Sequence, residues 1–180
     1  MFKEVPIGQA GELYLKGPNI MIGYKGNPEA TAETIDRDGY LHSGDIVKSD
    51  KDGNIFLVDR IKELIKYKGF QVAPADLESV LHDCPYVADA VVVSINDNRQ
   101  NTEVPLALVV LPSGTNMYNT EVVRSMSSKI LVWVNERVAN HKQLRGGVLV
   151  IDKIPRNAAG KLLRREAKEL YNKQQKQASK

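Results

Sequence analysis

The pattern of turns and helices changes near residue 59, and this change most constrains the fold. Before it, only short extended segments and one short helix are predicted, separated by turn signals such as Asp38-Gly39 and Asp52-Gly53. The extended segments are Gly11 to Lys16, Tyr40 to Val47 and Ile55 to Val58, and the helix is Pro28 to about Thr34. No long amphipathic helix is available to cover these strands. We therefore interpret residues 1–60 as the incomplete, β-rich end of a larger domain.

From residue 61 onward the pattern is self-contained. A strand, a helix, two strands, a helix, a strand and a helix are predicted in that order. Their ranges are Lys62 to Tyr67, a helix from Pro74 to Pro85, Val87 to Ile95, Val104 to Leu111, Glu121 to Val138, Val148 to Ile151, and a basic helix from Leu162. This order predicts an α+β fold, a compact domain over residues 61–171 with a small mixed sheet flanked by helices. Residues 172–180 are a polar tail.

Composition favours a globular protein and excludes several classes. Of the 180 residues, 42% are hydrophobic, and no apolar run approaches the ~20 residues that span a bilayer. The N-terminus lacks the apolar segment of a signal peptide. The lone Cys84 cannot form an internal disulfide, and the three histidines show no metal-ligand spacing, so we expect no metal site. The three lysines of the last ten residues account for the whole net charge of +3, so the basicity does not indicate a nucleic-acid partner.

The C-terminus bears on localisation. The chain ends in Ala178, Ser179 and Lys180, one residue short of the Ser-Lys-Leu ending that directs proteins to peroxisomes. The complete signal is not present in this chain. We expect an intracellular protein, either cytoplasmic or peroxisomal.

Three polar clusters lie at junctions between elements, where functional groups concentrate. The first is LHSGDI, in which Asp45 could bind a vicinal diol such as a ribose or could cap a turn. The second is DRIKELIKYKGFQVAP, whose four cations could bind a polyphosphate or form a solvated basic hairpin. The third is PRNAAGKLLRR, in which Lys161 follows Gly160 on a loop and could reach a phosphate. Each cluster alone leaves both a functional and a structural interpretation open.

Taken together, the clusters resemble the C-terminal motifs of the adenylate-forming enzymes, the family of 4-coumarate:CoA ligases, firefly luciferases and acyl-CoA synthetases. The order and spacing agree, and so do the segments GPNIMIGYKGNPEATAETI, VPIGQAGEL and KQLRGGV. The resemblance covers about residues 5 to 170. Three positions depart from the family pattern: Ala159 replaces a Ser or Thr, Arg156 stands where Lys is common, and His141 stands where Tyr is frequent.

The resemblance implies a role for eight residues. Nucleotide binding falls to Asp45, Arg60 and Lys161, and Lys161 is also the catalytic lysine of adenylation. Lys66 and Gln71 would face the acyl-adenylate, and Lys68 and Gly69 would approach CoA. Lys62 would be the hinge about which the C-terminal domain turns.

The resemblance also implies an activity. The parent enzyme would be a carboxylic acid:CoA ligase that uses ATP, with Mg²⁺, and then CoA, through an acyl-adenylate. The phosphate loop and the acid pocket belong to the family's N-terminal domain, so we expect this chain to be a fragment that is inactive alone. Two alternatives stay open: a luciferase-like monooxygenase that shares the adenylation step, and a non-catalytic binding module that keeps the lid fold. The sequence does not identify the acid.

Overall fold

The computed structural model describes residues 4–178, and the chain divides into two compact units between Lys62 and Glu63. We call them unit 1, residues up to Lys62, and unit 2, residues from Glu63. Each is described by itself.

Unit 1 is a three-stranded antiparallel sheet with one short helix. Its elements are β1 (Gly11–Leu15), α1 (Pro28–Thr34), β2 (Leu41–Ser49) and β3 (Ile55–Arg60), and the strand order is β1-β2-β3. The Asn27 side chain caps α1 by accepting a hydrogen bond from the Ala30 amide at 3.0 Å, and Pro28 fits the first turn. Helix α1 therefore has the predicted bounds.

The third strand of unit 1 exposes an apolar run. Ile55, Phe56 and Leu57 are 59%, 55% and 68% exposed, and both clusters of buried core residues in the described part of the chain lie in unit 2. Apolar strand residues are normally covered by a neighbouring layer. Within the described part of unit 1, no buried core cluster covers this run.

Unit 2 contains a two-stranded and a three-stranded sheet with three α-helices. Its elements are β4 (Ile65–Tyr67), β5 (Phe70–Val72), α2 (Pro74–His82), β6 (Asp89–Asp97), β7 (Thr102–Val110), α3 (Thr120–Asn135), β8 (Gly147–Val150) and α4 (Arg164–Ala178). Short 3₁₀ turns occur at Ile61–Glu63 and Asn140–Lys142. Strands β6 and β7 are antiparallel and β7 and β8 parallel, so the sheet is mixed.

The β6-β7-β8 sheet is buried on both faces. Alternating residues of β6 enter different clusters: Ala90 and Val92 pack with α2 and α3, whereas Val91 and Val93 pack with Ala167 of α4. This alternation follows from the period of two along a strand. Helices therefore cover both sides of the sheet, and the predicted α+β fold with a small mixed sheet is confirmed.

Several predicted element boundaries differ from those of the structure, including the following. The segment Lys62 to Tyr67 is only partly a strand, and it pairs with a second strand, β5, that was missed because three residues are too few to show a periodicity. Helix α3 ends at Asn135 and not at Val138, because the Arg137 amide turns back to the Val134 carbonyl at 2.9 Å. Helix α4 begins at Arg164 and not at Leu162, which instead forms an isolated bridge with Arg156.

Cys84 and Trp133 both pack in the core of unit 2. Cys84 is 2% exposed, and burial raises the pKa of its thiol. Trp133 is half-buried against the α2/α3 side of the core, and the Arg137 guanidinium lies 4.0 Å from its ring centroid. Among the described residues, no helix combines the length and apolar character needed to cross a bilayer. The Ser179 and Lys180 positions of the localisation argument lie outside the described residues.

Candidate functional site

The β4-β5 hairpin brings two predicted site residues together. Lys66 and Gln71 are directly opposite in the antiparallel pair, and both are exposed. Their neighbours Ile65 and Val72 point the other way and are fully buried in the core. Because side chains alternate along a strand, burying those neighbours places Lys66 and Gln71 on one solvent-facing surface.

The turn of this hairpin contains the next two predicted site residues. We call it the Lys68 turn, residues 67–70. Lys68 has φ of 45° and Gly69 φ of 84°, which are the positive values that a two-residue type I′ hairpin turn requires. A Cβ built on Gly69 meets no atom within 4 Å, so conformation rather than space favours glycine here.

Strand β7 fixes the hairpin through two side chains. Thr102 Oγ1 accepts a hydrogen bond from the Lys68 amide and donates to the Lys66 carbonyl, both at 2.9 Å. The Glu103 carboxylate accepts from the Lys66 amide at 2.8 Å. These bonds satisfy the outer edge of β4, which would otherwise be unpaired. Sequence reasoning missed both residues, because nothing in the sequence indicates which strand lies beside β4.

An open cleft of about 530 Å³ lies beside the Lys68 turn. Lys66, Lys68 and Gly69 line one side, and the other side is formed by the adjoining ends of β6 and β7 and the β6-β7 loop between them. The side formed by β6, β7 and their loop presents mainly side-chain amides and carboxylates. The cleft therefore combines two lysine cations with two carboxylates and several side-chain amides.

Lys161 lies on a closed loop between β8 and α4. We call residues 155–163 the Lys161 loop. Asn157 Oδ1 accepts hydrogen bonds from the Ala159 and Lys161 amides at 3.0 and 2.8 Å, and the Asn157 amide donates to the Lys161 carbonyl at 2.9 Å. Gly160 has φ of 80°. The asparagine closes the loop without the hydroxyl that Ala159 lacks, and the Lys161 side chain is exposed.

Arg156 ties the Lys161 loop to the sheet. Its Nη2 contacts both carboxylate oxygens of Asp89, at 2.9 and 3.1 Å, and its Nη1 donates to the Gly160 carbonyl at 3.0 Å. One guanidinium thus joins the first residue of β6 to the residue before Lys161. Neither Asp89 nor this connection was predicted, since 67 residues separate the two partners.

The two lysine regions are fixed at opposite ends of one strand pair. Asp89 pairs with Val110 at one end of β6-β7, and Asp97 pairs with Thr102 at the other. Nine strand residues span about 27 Å at a rise of about 3.4 Å per residue. Unit 2 therefore carries the anchors of the Lys161 loop and the Lys68 turn at its two ends.

Asp45 and Arg60 form a pair within unit 1. They are cross-strand partners in β2 and β3, and Arg60 Nε donates to Asp45 Oδ1 at 3.0 Å. Asp45 lies inside a strand, so it does not cap a turn as one interpretation of the sequence allowed. Gly44, with φ of 72°, precedes it, and its amide donates to Glu12 at 3.2 Å. The remaining predicted residue, Lys62, is exposed and stands directly before the boundary between the two units.

An ion cluster that the sequence did not indicate joins Glu63, α2 and α4 within unit 2. Arg164 contacts Glu63 at 3.0 Å and Glu78 at 2.6 Å, and Glu78 also accepts from the Val92 amide at 2.9 Å. Glu78 is 7% exposed. Among residues 4–178, no group of three or more His, Cys, Asp or Glu side chains is arranged to hold a metal ion.

The chain matches known proteins along most of its length. Residues 76–161 match the family described as AMP-binding enzyme C-terminal domain. Luciferin 4-monooxygenase of Luciola mingrelica is 45% identical over 173 residues, covering 96% of this chain and 30% of that protein. The 4-coumarate–CoA ligase-like 9 protein of Arabidopsis thaliana is 43% identical over 164 residues, covering 91% of this chain and 27% of that protein.

Solved structures agree. The o-succinylbenzoate CoA synthetase of Bacillus subtilis, in complex with its acyl-adenylate intermediate, superposes with a TM-score of 0.73 at 32% identity and covers 91% of this chain and 31% of that one. ATP-bound MatB from Rhodopseudomonas palustris gives a TM-score of 0.81 at 29% identity, over 94% of this chain and 32% of that one. The chain belongs to the adenylate-forming enzyme family and carries its C-terminal domain. It spans about a third of the length of these relatives.

Proposed function

We propose that this chain is the lid portion of an ATP-dependent carboxylic acid:CoA ligase of the 4-coumarate:CoA ligase type, together with the end of the preceding domain. The observation that carries the proposal is the position of two lysine regions at opposite ends of β6-β7 in one compact unit. Such a unit can bring either lysine region to one active site. The two half-reactions, adenylation and thioester formation, each need a different region there.

In the adenylation half, a carboxylate oxygen attacks the α-phosphorus of ATP and pyrophosphate leaves. Acid and triphosphate are both anions, so a positioned ammonium lowers the barrier by orienting them and stabilising the charge on the transferring group. Lys161 supplies that group on a loop that internal hydrogen bonds hold closed. Mg²⁺ would arrive with ATP as part of the substrate.

Unit 1 contributes nucleotide binding in this proposal. The Asp45 carboxylate accepts hydrogen bonds from the ribose hydroxyls, and Arg60 contacts the nucleotide while it orients Asp45 across the strands at 3.0 Å. The carboxylate of Asp45 is 26% exposed, so part of it is open to a ligand. Residues 1–60 would then belong to the large AMP-binding domain and residues 61–171 to the lid.

In the thioester half, the CoA thiol attacks the acyl carbonyl and AMP leaves. Lys66 and Gln71 would face the acyl-adenylate, and the backbone at Lys68 and Gly69 would approach CoA. Gly69 has positive φ and open space around it, so the backbone of this turn allows close approach of an extended ligand such as CoA. Rotation about Lys62 would exchange this region for Lys161.

A luciferase-like monooxygenase is a second candidate. The identity to a luciferin 4-monooxygenase, 45%, is as high as the identity to the ligase relatives. Both reactions share adenylation, and the residues that distinguish them would lie in the domain that precedes this chain. A non-catalytic module is a third candidate, and intact Asp45, Arg60, Lys66 and Lys161 count against it. We further propose an intracellular location, cytoplasmic or peroxisomal.

The test uses the full-length protein that contains this chain. We expect pyrophosphate exchange into ATP with at least one acid of a panel of 4-coumarate, hexanoate and decanoate, and AMP release that requires CoA. Light emission from firefly luciferin and oxygen, without CoA dependence, would support the monooxygenase. Residues 1–180 alone should exchange no pyrophosphate. Exchange by that piece would contradict the assignment of the phosphate loop to another domain.

A further inference from the structure

Two kinds of contact restrain the Lys161 loop: hydrogen bonds within the loop and a long-range connection to the sheet. The Asn157 hydrogen bonds are local and set the shape of the loop. The Arg156 contacts are long-range: they fix where the shaped loop stands on the sheet, because Asp89 belongs to β6. A catalytic ammonium needs both a shape and a position.

Asp89 is itself held in place. Its Oδ1 accepts a hydrogen bond from the Ala90 amide at 2.9 Å in addition to the contact from Arg156. Ala90 is fully buried and pairs with Val109 in the sheet. The carboxylate is therefore oriented by a strand that is buried and paired in the sheet, and a strand residue transmits its position more accurately than a loop residue.

The guanidinium suits this connection better than an ammonium. Arg156 places Nη2 on both oxygens of Asp89 while Nη1 bonds the Gly160 carbonyl, so a planar group bridges two fixed points. A lysine has a single nitrogen on a flexible stem and could not reproduce this fork geometry. The loop residue next to Lys161 is thus aligned by the plane of one side chain.

We propose that Asp89 is a positioning residue for Lys161 and acts through Arg156. The inference rests on the proposed function, since it assigns an adenylation role to Lys161, and goes beyond it by naming the residue that fixes the lysine. Asp89 does not touch substrate. Its side chain is 31% exposed and that of Arg156 is 37% exposed, and ion pairs with such exposure contribute little to global stability. Removing the pair should therefore change catalysis more than folding.

The experiment replaces Asp89 with Asn in the full-length protein. With the acid that gives the fastest wild-type exchange from the panel above, we expect kcat for pyrophosphate exchange to fall about tenfold and KM for ATP to change less than about twofold. Thioester formation from the corresponding supplied acyl-adenylate and CoA should stay within about twofold of wild type. Trypsin cleavage after Lys161 should become faster, while the thermal midpoint stays the same.

Two further variants complete the test. Asp152→Asn is the matched control, because it removes one exposed carboxylate from the same connection between β8 and α4 and makes none of the hydrogen bonds found in residues 4–178. It should leave both half-reactions and the tryptic cleavage unchanged. Arg156→Lys keeps the positive charge but loses the planar guanidinium that contacts Asp89 and Gly160, so we expect an intermediate decrease in pyrophosphate exchange.

The outcomes test the positioning role of Asp89 separately from the proposed function. If the wild-type protein exchanges pyrophosphate but Asp89→Asn exchanges it equally fast, or loses both half-reactions in proportion, the positioning role is overturned while the proposed function stands. If Asp89→Asn leaves tryptic cleavage after Lys161 unchanged, the role is overturned on structural grounds alone. If the wild type exchanges pyrophosphate with no acid of the panel, the proposed function is contradicted and the role of Asp89 falls with it.

Discussion

The Lys161 loop and the Lys68 turn are both short, exposed and lysine-bearing, yet different interactions hold them. In the Lys161 loop, side chains set the geometry: Asn157 closes the loop and Arg156 fixes it to Asp89. In the Lys68 turn, the backbone sets it, through two consecutive residues of positive φ inside a paired hairpin. Only the outer edge of that hairpin depends on a side-chain hydroxyl, that of Thr102.

This difference predicts how each region responds to substitution. A loop held by side chains should be sensitive to single polar substitutions. A turn held by backbone conformation should be sensitive to loss of its glycine and tolerant at most side chains. Because the two regions are anchored about 27 Å apart, at opposite ends of nine-residue strands, substitutions in one should leave the other nearly unaffected.

The largest effect is expected for Lys161→Ala in the full-length protein. Loss of the ammonium should slow acid-dependent pyrophosphate exchange by about 10²- to 10³-fold, the usual effect of removing one electrostatic stabiliser from a transition state. Thioester formation from supplied acyl-adenylate and CoA should change less than about threefold. Equal losses in the two assays would contradict the assignment of the two lysine regions to separate half-reactions.

Gly69→Ala tests the backbone-held turn. A Cβ at Gly69 meets no atom within 4 Å, so the substitution adds only the conformational cost of positive φ, about 1–2 kcal/mol. We expect thioester formation to fall about tenfold and pyrophosphate exchange to stay within about twofold. Both half-reactions are measured separately on the same preparation.

Gly114 provides the matched control for this substitution. It has φ of 90°, and a Cβ added there would likewise meet no atom within 4 Å, but it lies in the loop between β7 and α3. Gly114→Ala should cost similar stability and leave both half-reactions unchanged. A loss of thioester formation in this control would show that the effect at Gly69 comes from general destabilisation.

The same contrast explains how much could be predicted from the sequence. The Lys68 turn has a local signal, because a glycine inside a charged extended segment favours a tight turn, but the facing of Lys66 and Gln71 depends on β5, which the sequence did not reveal. The loop position of Lys161 also has a local signal in Pro, Asn and Gly. The α+β order followed from periodicity, whereas the three-residue strand β5 was too short to show any.

Long-range anchors had no such signal. In the sequence, Asp89 is an ordinary residue before a Val-rich strand, and Thr102 and Glu103 are the polar end of a hairpin. Their partners are 67 residues away for Asp89 and 36 and 37 for the other two. Periodicity describes the faces of one element, and only the packing of elements decides which polar side chain meets which loop.

Thr102→Val sharpens the comparison at a side chain that hydrogen-bonds directly to the Lys68 turn. Valine has the same shape but cannot accept from the Lys68 amide or donate to the Lys66 carbonyl. Since the paired backbone still holds the turn, we expect a decrease of only about threefold in thioester formation, equivalent to the net loss of about one hydrogen bond. Thr115→Val is the control, because Thr115 makes a similar bond to the Pro112 carbonyl at 2.8 Å. A decrease as large as that of Gly69→Ala would mean that side chains hold both regions alike.

The smallest effect is expected from Asp97, which shapes the β6-β7 loop opposite the Lys68 turn. The Gln100 side-chain amide, at 2.7 Å, and then the Arg99 amide, at 3.0 Å, hold the pKa of the Asp97 carboxyl below its ordinary value of 3.8. A lowered carboxyl pKa stabilises the folded state above the unfolded pKa, and this contribution is lost as the pH falls through the folded pKa. Asp97→Asn should therefore lower the urea midpoint of unit 2 slightly at about pH 7, and the difference from wild type should shrink as the pH falls below about 4.

Fluorescence gives a direct readout of this change, because Trp133 is the chain's single tryptophan and belongs to unit 2 along with Asp97. Asp152→Asn again serves as the control and should show no pH-dependent difference. If Asp97→Asn also slowed thioester formation, the β6-β7 loop would be one of the elements that hold the Lys68 turn. If the urea difference were constant from about pH 7 to about pH 2.5, the ionised carboxylate of Asp97 would not be the group that holds the β6-β7 loop. Side-chain restraint of the Lys68 hairpin would then be limited to Thr102 and Glu103.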